Sequence, residues 1–273
     1  MIDFSEFTHP LDAKAMSAMK SVPGFETVAD AFLKFYDEKL LHSLNMATRV
    51  RMGHDQLPQY YALLQEVCGD LEMPVPEMFL ENGRCSAYSL GDKRPFVVAQ
   101  SGLLSNLSKE EVKATLAGLC AHIACGHNRY ITMAFIMMHS GSSALGLAAA
   151  LVKPVYWAVQ AWHRCSCFTA DRIESYVMGT PDFTFSRLLK MKGGSIYNNG
   201  EEKLNLEAYM RQVDEYQEEL TFSKVQSWVQ RCYLLGASNP FPVLRCMELR
   251  KWWALHGAEM ARSAPKARRE LTW

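Results

Sequence analysis

Two short stretches carry side chains able to hold a metal ion or move a proton. The first, SKEEVKATLAGLCAHIACGHNRYITMA at 108–134, contains His122, Cys125 and His127. The second, RCSCFTADRIE at 164–174, follows His163 and contains Cys167 and Asp171. Imidazole nitrogens and thiolate sulfurs are the ligand atoms that zinc takes most readily. His163, Cys167 and Asp171 recur every four residues and would share one helix face. His122 and Cys125 lie one turn apart, whereas His127 is five residues past His122 and rotated away from it. Two chemistries fit these residue types. One is a metal held by His122, His163 and Cys167, zinc before iron. The other is a thiol nucleophile at Cys167 with His122 as its base.

Both stretches must be helices to bring these groups together. Ser108 followed by Glu110 and Glu111, then apolar residues at Val112, Leu116, Leu119 and Ile123, predicts a capping-box start to a long helix. The second stretch predicts a helix over 163–176 that stops at Gly179-Thr180-Pro181. Further helices are predicted at 10–19, 25–41, 57–73, 183–192 and 204–220, and on either side of the Ser238-Asn239-Pro240 turn. Asn45 to His54 is less regular and reads as extended. Between 74 and 101 the period changes, and PVPEMFLENG, CSAYSLG and RPFVVAQSGLL predict three short strands. The expected fold class is α+β, mostly helical, with a small sheet beside the key helix. One domain is expected over 1–260, followed by a basic C-terminal tail at 261–273.

Composition narrows the partners. The 29 basic and 29 acidic side chains cancel, so no global field draws the chain to nucleic acid. Eight cysteines without paired CxxC knuckles, and an N-terminus lacking an apolar signal region, point to a reducing, cytoplasmic setting. The run 131–162 has only His139 and Lys153 as ionisable groups. It reads as a buried hairpin, with a membrane span or peripheral membrane contact as the alternatives.

Ordered landmarks along the chain resemble the HtpX-type zinc metallopeptidases, related to the CAAX prenyl proteases. They are Pro10-Leu11-Asp12, LPQYYALLQEVC, SAYSLG at 86–91, PFVVAQSGLL at 95–104, the HIACGH helix, FTADR at 168–172, LLKMKGG at 188–194 and NPFPVLR at 239–245. The resemblance implies a zincin-like domain whose active helix carries HExxH, two zinc-binding histidines around a glutamate base. With His122 as the second histidine, Gly118 stands at the first and Leu119 at the base. Cys167 stands where the resemblance implies a glutamate ligand, and Asp171 matches a residue that orients a ligand histidine. Asn239 stands where a histidine is usual, and Ser86 replaces an asparagine in the edge-strand pattern.

Glycine offers no ligand atom and leucine accepts no proton, so the implied water activation lacks its base and one ligand. The resemblance therefore implies a pseudopeptidase that binds or regulates a peptide, lipid or protein partner through a cleft partly refilled by Leu119. The alternatives are an enzyme with a rebuilt His/Cys site, or residual zinc-dependent hydrolysis with another base. Glu174 is the nearest spare carboxylate for the latter and reads as solvated, while Tyr88 and His127 read as structural. Arg172 and Arg245 are expected to bridge helices through carboxylates or backbone carbonyls.

Overall fold

The capping box at Ser108 forms, and it anchors the helix that the domain is built on. Ser108 Oγ accepts from the Glu111 N–H, and the Glu111 carboxylate accepts from the Ser108 N–H at 2.8 Å. Glu111 is 3% exposed, and its carboxylate also takes the ammonium of Lys190 at 3.0 Å. The helix it starts, α6 (Lys109–Ala124), is buried on most faces, which suits its run of Ala, Gly, Thr and Cys.

The computed structural model describes residues 2–35, 38–139, 149–194, 197–198, 201–202, 204–222 and 239–265. Ahead of α6 the chain forms α1 (Pro10–Lys20), α2 (Phe25–Phe35), α3 (Glu38–Thr48), β1 (Val50–Met52), α4 (Pro58–Asp70), β2 (Glu77–Glu81), β3 (Ala87–Leu90), β4 (Phe96–Gln100) and α5 (Ser101–Asn106). After it come α7 (Asn128–His139), α8 (Ala149–Met178), α9 (Asp182–Gly193), a ladder of two short strands (Tyr197–Asn198 and Glu201–Glu202), α10 (Leu206–Phe222) and α11 (Pro242–Ser263). This is the expected α+β fold, mostly helical, with one small mixed sheet.

The sheet runs β1-β2-β4-β3, with β2 and β4 parallel and the outer pairs antiparallel. Alternate residues face opposite ways along a strand, and the two faces of this sheet meet different partners. Met78, Val97 and Ala99 pack into the main core with Leu64 and Val67 of α4 and Leu116 and Ala117 of α6. Phe79, Phe96 and Val98 pack with Leu41 of α3 and Ile131 and Phe135 of α7. The central strand β4 is buried on both faces, so it reads as a continuous apolar run.

Three expectations change. The helix at 163–176 is the second half of α8, which starts at Ala149. The sheet has a fourth strand, β1, while α3 carries the helical region on through Thr48. Helix α11 runs to Ser263, into the segment expected as a basic tail; residues 266–273 lie outside the described residues, as do Ser238 and the helix expected before it.

The described parts of the apolar run 131–162 lie in α7 and the first half of α8, and residues 140–148 lie outside the described residues. Met133, Ala134 and Met137 of α7 pack on Val152, Val155, Val159 and Trp162 of α8, together with Met19, Phe25 and Ala29 of α1 and α2. Among the described residues no helix is long and apolar enough to cross a membrane. The second half of α8 continues into the main core through Ala170, Ile173, Tyr176 and Val177. One helix thus joins two apolar clusters, and it carries His163, Cys167 and Asp171 between them.

Helix α1 is tied to α11 by His9. Its Nδ1 accepts from the Leu11 N–H at 3.1 Å, so Nε2 carries the proton and donates to Glu248 Oε2 at 3.2 Å. Arg172 of α8 donates to the carbonyls of Phe7 and Thr8, a bridge of the kind expected from sequence.

Ser108→Ala should cost about 1 kcal/mol in denaturant unfolding. Glu111→Ala should cost about 3–5 kcal/mol, because it also strands the buried Lys190. The His9 hydrogen bond, with Lys251 beside it, holds the Glu248 carboxyl down from 4.5 to about 2. A depressed carboxyl stabilises the fold above its unfolded value and loses that stabilisation as pH falls through its folded value. Glu248→Gln should therefore flatten the loss of stability between pH 4.5 and about 2, measured by thermal unfolding across that range.

Candidate functional site

The end of α6 shapes the site. Gly126 has φ +69°, its N–H reaches the Ile123 carbonyl at 3.0 Å, and the His127 N–H reaches the His122 carbonyl at 2.9 Å. This is a Schellman stop, which needs a residue tolerant of the left-handed region at position 126. It reverses the chain and returns His127 to the face from which ideal helix geometry would rotate it away. The two rings meet with Nδ1 to Nδ1 at 3.1 Å, and both are buried.

Behind His127 stands Asp12 of α1, with Oδ2 3.6 Å from His127 Nε2, a charge contact longer than a hydrogen bond. Asp12 also accepts from Trp162 Nε1 at 2.8 Å and from Thr169 Oγ1 at 2.6 Å. The Asp12 charge favours the proton on His127 Nε2, and His127 Nδ1 then accepts from His122 Nδ1–H. That assignment leaves Nε2 of a neutral His122 as a bare lone pair. Burial pushes the His122 pKa well below its ordinary value, with the neighbouring histidines adding to the shift, so the ring is neutral at pH 7.

The structure brings His122, His163 and Cys167 together. One ligand atom from each lies within 4.8 Å of the others, and all three line a cleft of about 530 Å³. This cluster is capable of coordinating a metal ion, and its donor set of two imidazoles and one thiol suits zinc. Cys167 Sγ donates to Asn239 Oδ1 at 3.8 Å. Burial pushes the Cys167 thiol up to about 12, so without a metal it is a protonated thiol at neutral pH and a poor nucleophile. Cys125 is likewise pushed up to about 12 by burial and lies outside the cluster.

The position of the missing first histidine is filled from another helix. A Cβ at Gly118 would lie 2.8 Å from Glu174 Oε2. Glu174 is fully buried, which corrects its reading as a solvated residue. Its carboxylate accepts from Arg187 Nε at 2.6 Å and from Thr184 Oγ1 at 2.7 Å, and Arg187 Nη2 closes a second contact. Arg187 Nη2 also reaches Asp171 Oδ1 at 3.3 Å, and Arg245 Nε donates to Asp171 Oδ2 at 2.8 Å. Burial raises the Glu174 carboxyl while Arg187 pulls it back. The space expected to be refilled by Leu119 is thus filled by an ion pair. Leu119 is half-buried on the cleft wall, one residue further on.

The carboxylate of Asp171 is engaged by two guanidinium groups, and His122 is oriented by the hydrogen bond it donates to His127. Tyr88 is structural, accepting from Arg49 at 3.0 Å and donating to Glu81 at 3.2 Å. Sequence reasoning missed Asp12, Glu174 and Arg187 as parts of the site. The only local signal was the CGH at the helix end, which places a glycine where a Schellman stop wants one.

Because a methyl group at position 118 meets a carboxylate locked by Arg187, Gly118→Ala should cost about 1–3 kcal/mol in denaturant unfolding. Gly118→His should cost more.

The profile of peptidase family M48 matches residues 58–253, a span that includes β2, β3 and β4 of the sheet, α6 and α8. The chain is 26% identical over 254 residues to the chloroplastic plastoglobule-localized metallopeptidase 48 of Arabidopsis thaliana, covering 92% of this chain and 73% of that protein. It is also 26% identical to the protease HtpX homologs of Ralstonia pickettii, over 188 residues, and Burkholderia multivorans, over 187. These matches cover 59% of this chain and 64% of each bacterial protein, slightly under two thirds of their length. No solved structure gives a significant match. On a match of this extent, with His122 placed as the second histidine of a helix that lacks HExxH, the chain belongs to peptidase family M48 as a degenerate member.

Proposed function

We propose that this protein binds an extended acidic polypeptide in its cleft without hydrolysing it. The observation that carries this reading is the state of the two catalytic positions. Position 118 is closed by Glu174, and position 119 is a leucine that cannot take a proton from water. Losing the base costs a hydrolase the step that generates its nucleophile, and no other carboxylate lines the cleft among the described residues.

The cleft itself persists. In the main sheet β3 pairs with β4 alone, and residues 84–90 line the cleft. An outer strand facing a groove suits an extended chain, which adds main-chain hydrogen bonds along the edge. The charged residues of the wall are Arg84, Arg187, Lys192 and Arg245. Arg187 and Arg245 are neutralised by Glu174 and Asp171, which leaves Arg84 and Lys192, both exposed, to set the sign. Acidic side chains on the ligand fit that sign.

Fluorescence anisotropy with acidic, neutral and basic peptides of one length tests this reading on the full chain. The acidic peptide should bind most tightly, weaken with salt, and be recovered intact by mass spectrometry after incubation with added zinc. Arg84→Glu with Lys192→Glu should lower its affinity at least about tenfold. Zinc-dependent cleavage, or failure of all three peptides to bind, would overturn the proposal.

A further inference from the structure

We propose that this chain binds a zinc ion through His122, His163 and Cys167, a ligand set in which a histidine from α8 replaces the one absent from position 118 of α6. The inference is independent of any peptide ligand.

Convergence is the first support. The three ligand atoms lie within 4.8 Å of one another, whereas tetrahedral zinc with its usual bond lengths sets such atoms roughly 3.3–3.8 Å apart. Small side-chain rotations close that difference. The second support is side-chain length. Cysteine at position 167 reaches less far from its helix than a glutamate would, so an ion bound to it sits nearer α8. His163 lies one turn earlier on that helix and lines the same cleft. The exchange of a long ligand for a short one and the recruitment of His163 are therefore one geometric change.

The third support is the polar shell. His122 is held by His127, which faces Asp12, and this arrangement turns the bare Nε2 lone pair into a ligand. Metal-bound histidines are oriented in this way, by a partner on the other ring nitrogen. On binding, the S–H bond of Cys167 breaks, its proton passes to solvent, and the sulfur takes up the metal bond. One thiolate and two imidazoles favour zinc over magnesium, calcium or manganese. With leucine at position 119 the ion has no base beside it, so its role is to clamp α6 to α8.

Cobalt(II) titration of the chelator-treated full chain tests the proposal. The intact chain should take up about one ion, with a thiolate-to-cobalt charge-transfer band and the strong visible bands of a tetrahedral site, and added zinc should displace it. Cys167→Ser should remove the charge-transfer band. His163→Gln, which keeps a polar side chain of similar size, should weaken binding about 100-fold or more while the circular dichroism spectrum is retained. The proposal is overturned if the intact chain shows no such band. It is equally overturned if folded His163→Gln protein binds cobalt as tightly as the parent.

Discussion

The ion pair between Glu174 and Arg187, pressed against the bare backbone at Gly118, is the interaction on which the rest of the site depends. Its members come from α8 and α9, it abuts α6, and through Asp171 it extends to Arg245 on α11. Two carboxylates and two guanidinium groups balance in charge. In a buried setting, removal of any one member leaves another charge uncompensated, at a cost of several kcal/mol. The network therefore holds four helices in register, and it does so only while position 118 lacks a side chain.

That constraint gives the chemical loss a physical form. In a zincin helix the first histidine and the base glutamate stand at adjacent positions, and here one is closed sterically while the other is apolar. What persists is the support for the second histidine. Asp12, fixed by Trp162 and Thr169, faces His127, and His127 holds His122. The chain thus keeps an oriented imidazole over an open cleft beside an outer strand, without the groups that would turn a water molecule into a nucleophile there.

Features written in local sequence were legible. Ser108 and Glu111 announced the start of α6, the change of period between 74 and 101 announced β2, β3 and β4, and the four-residue spacing of His163 and Cys167 placed both on one face. Features set by distant partners were not. Glu174 looked solvated because nothing near it in the chain suggests Arg187, thirteen residues on and in the next helix. His127 looked misdirected because five residues along a helix point elsewhere, and the Gly126 turn that brings it back lies outside helix geometry. Strand β1 is three residues long and pairs with a strand almost thirty residues away, too short a run to show a period. The start of α8 was hidden in an apolar stretch with no cap to mark it.

The closure of the first-ligand position is tested most directly by a double-mutant cycle in denaturant unfolding, pairing Gly118→Ala with the double replacement Glu174→Ala and Arg187→Met. If Glu174 occupies that space, the cost of the added methyl group falls to near zero once the ion pair is gone, with a coupling energy of about 1–3 kcal/mol. An unchanged cost for Gly118→Ala in both backgrounds would contradict this account of the site.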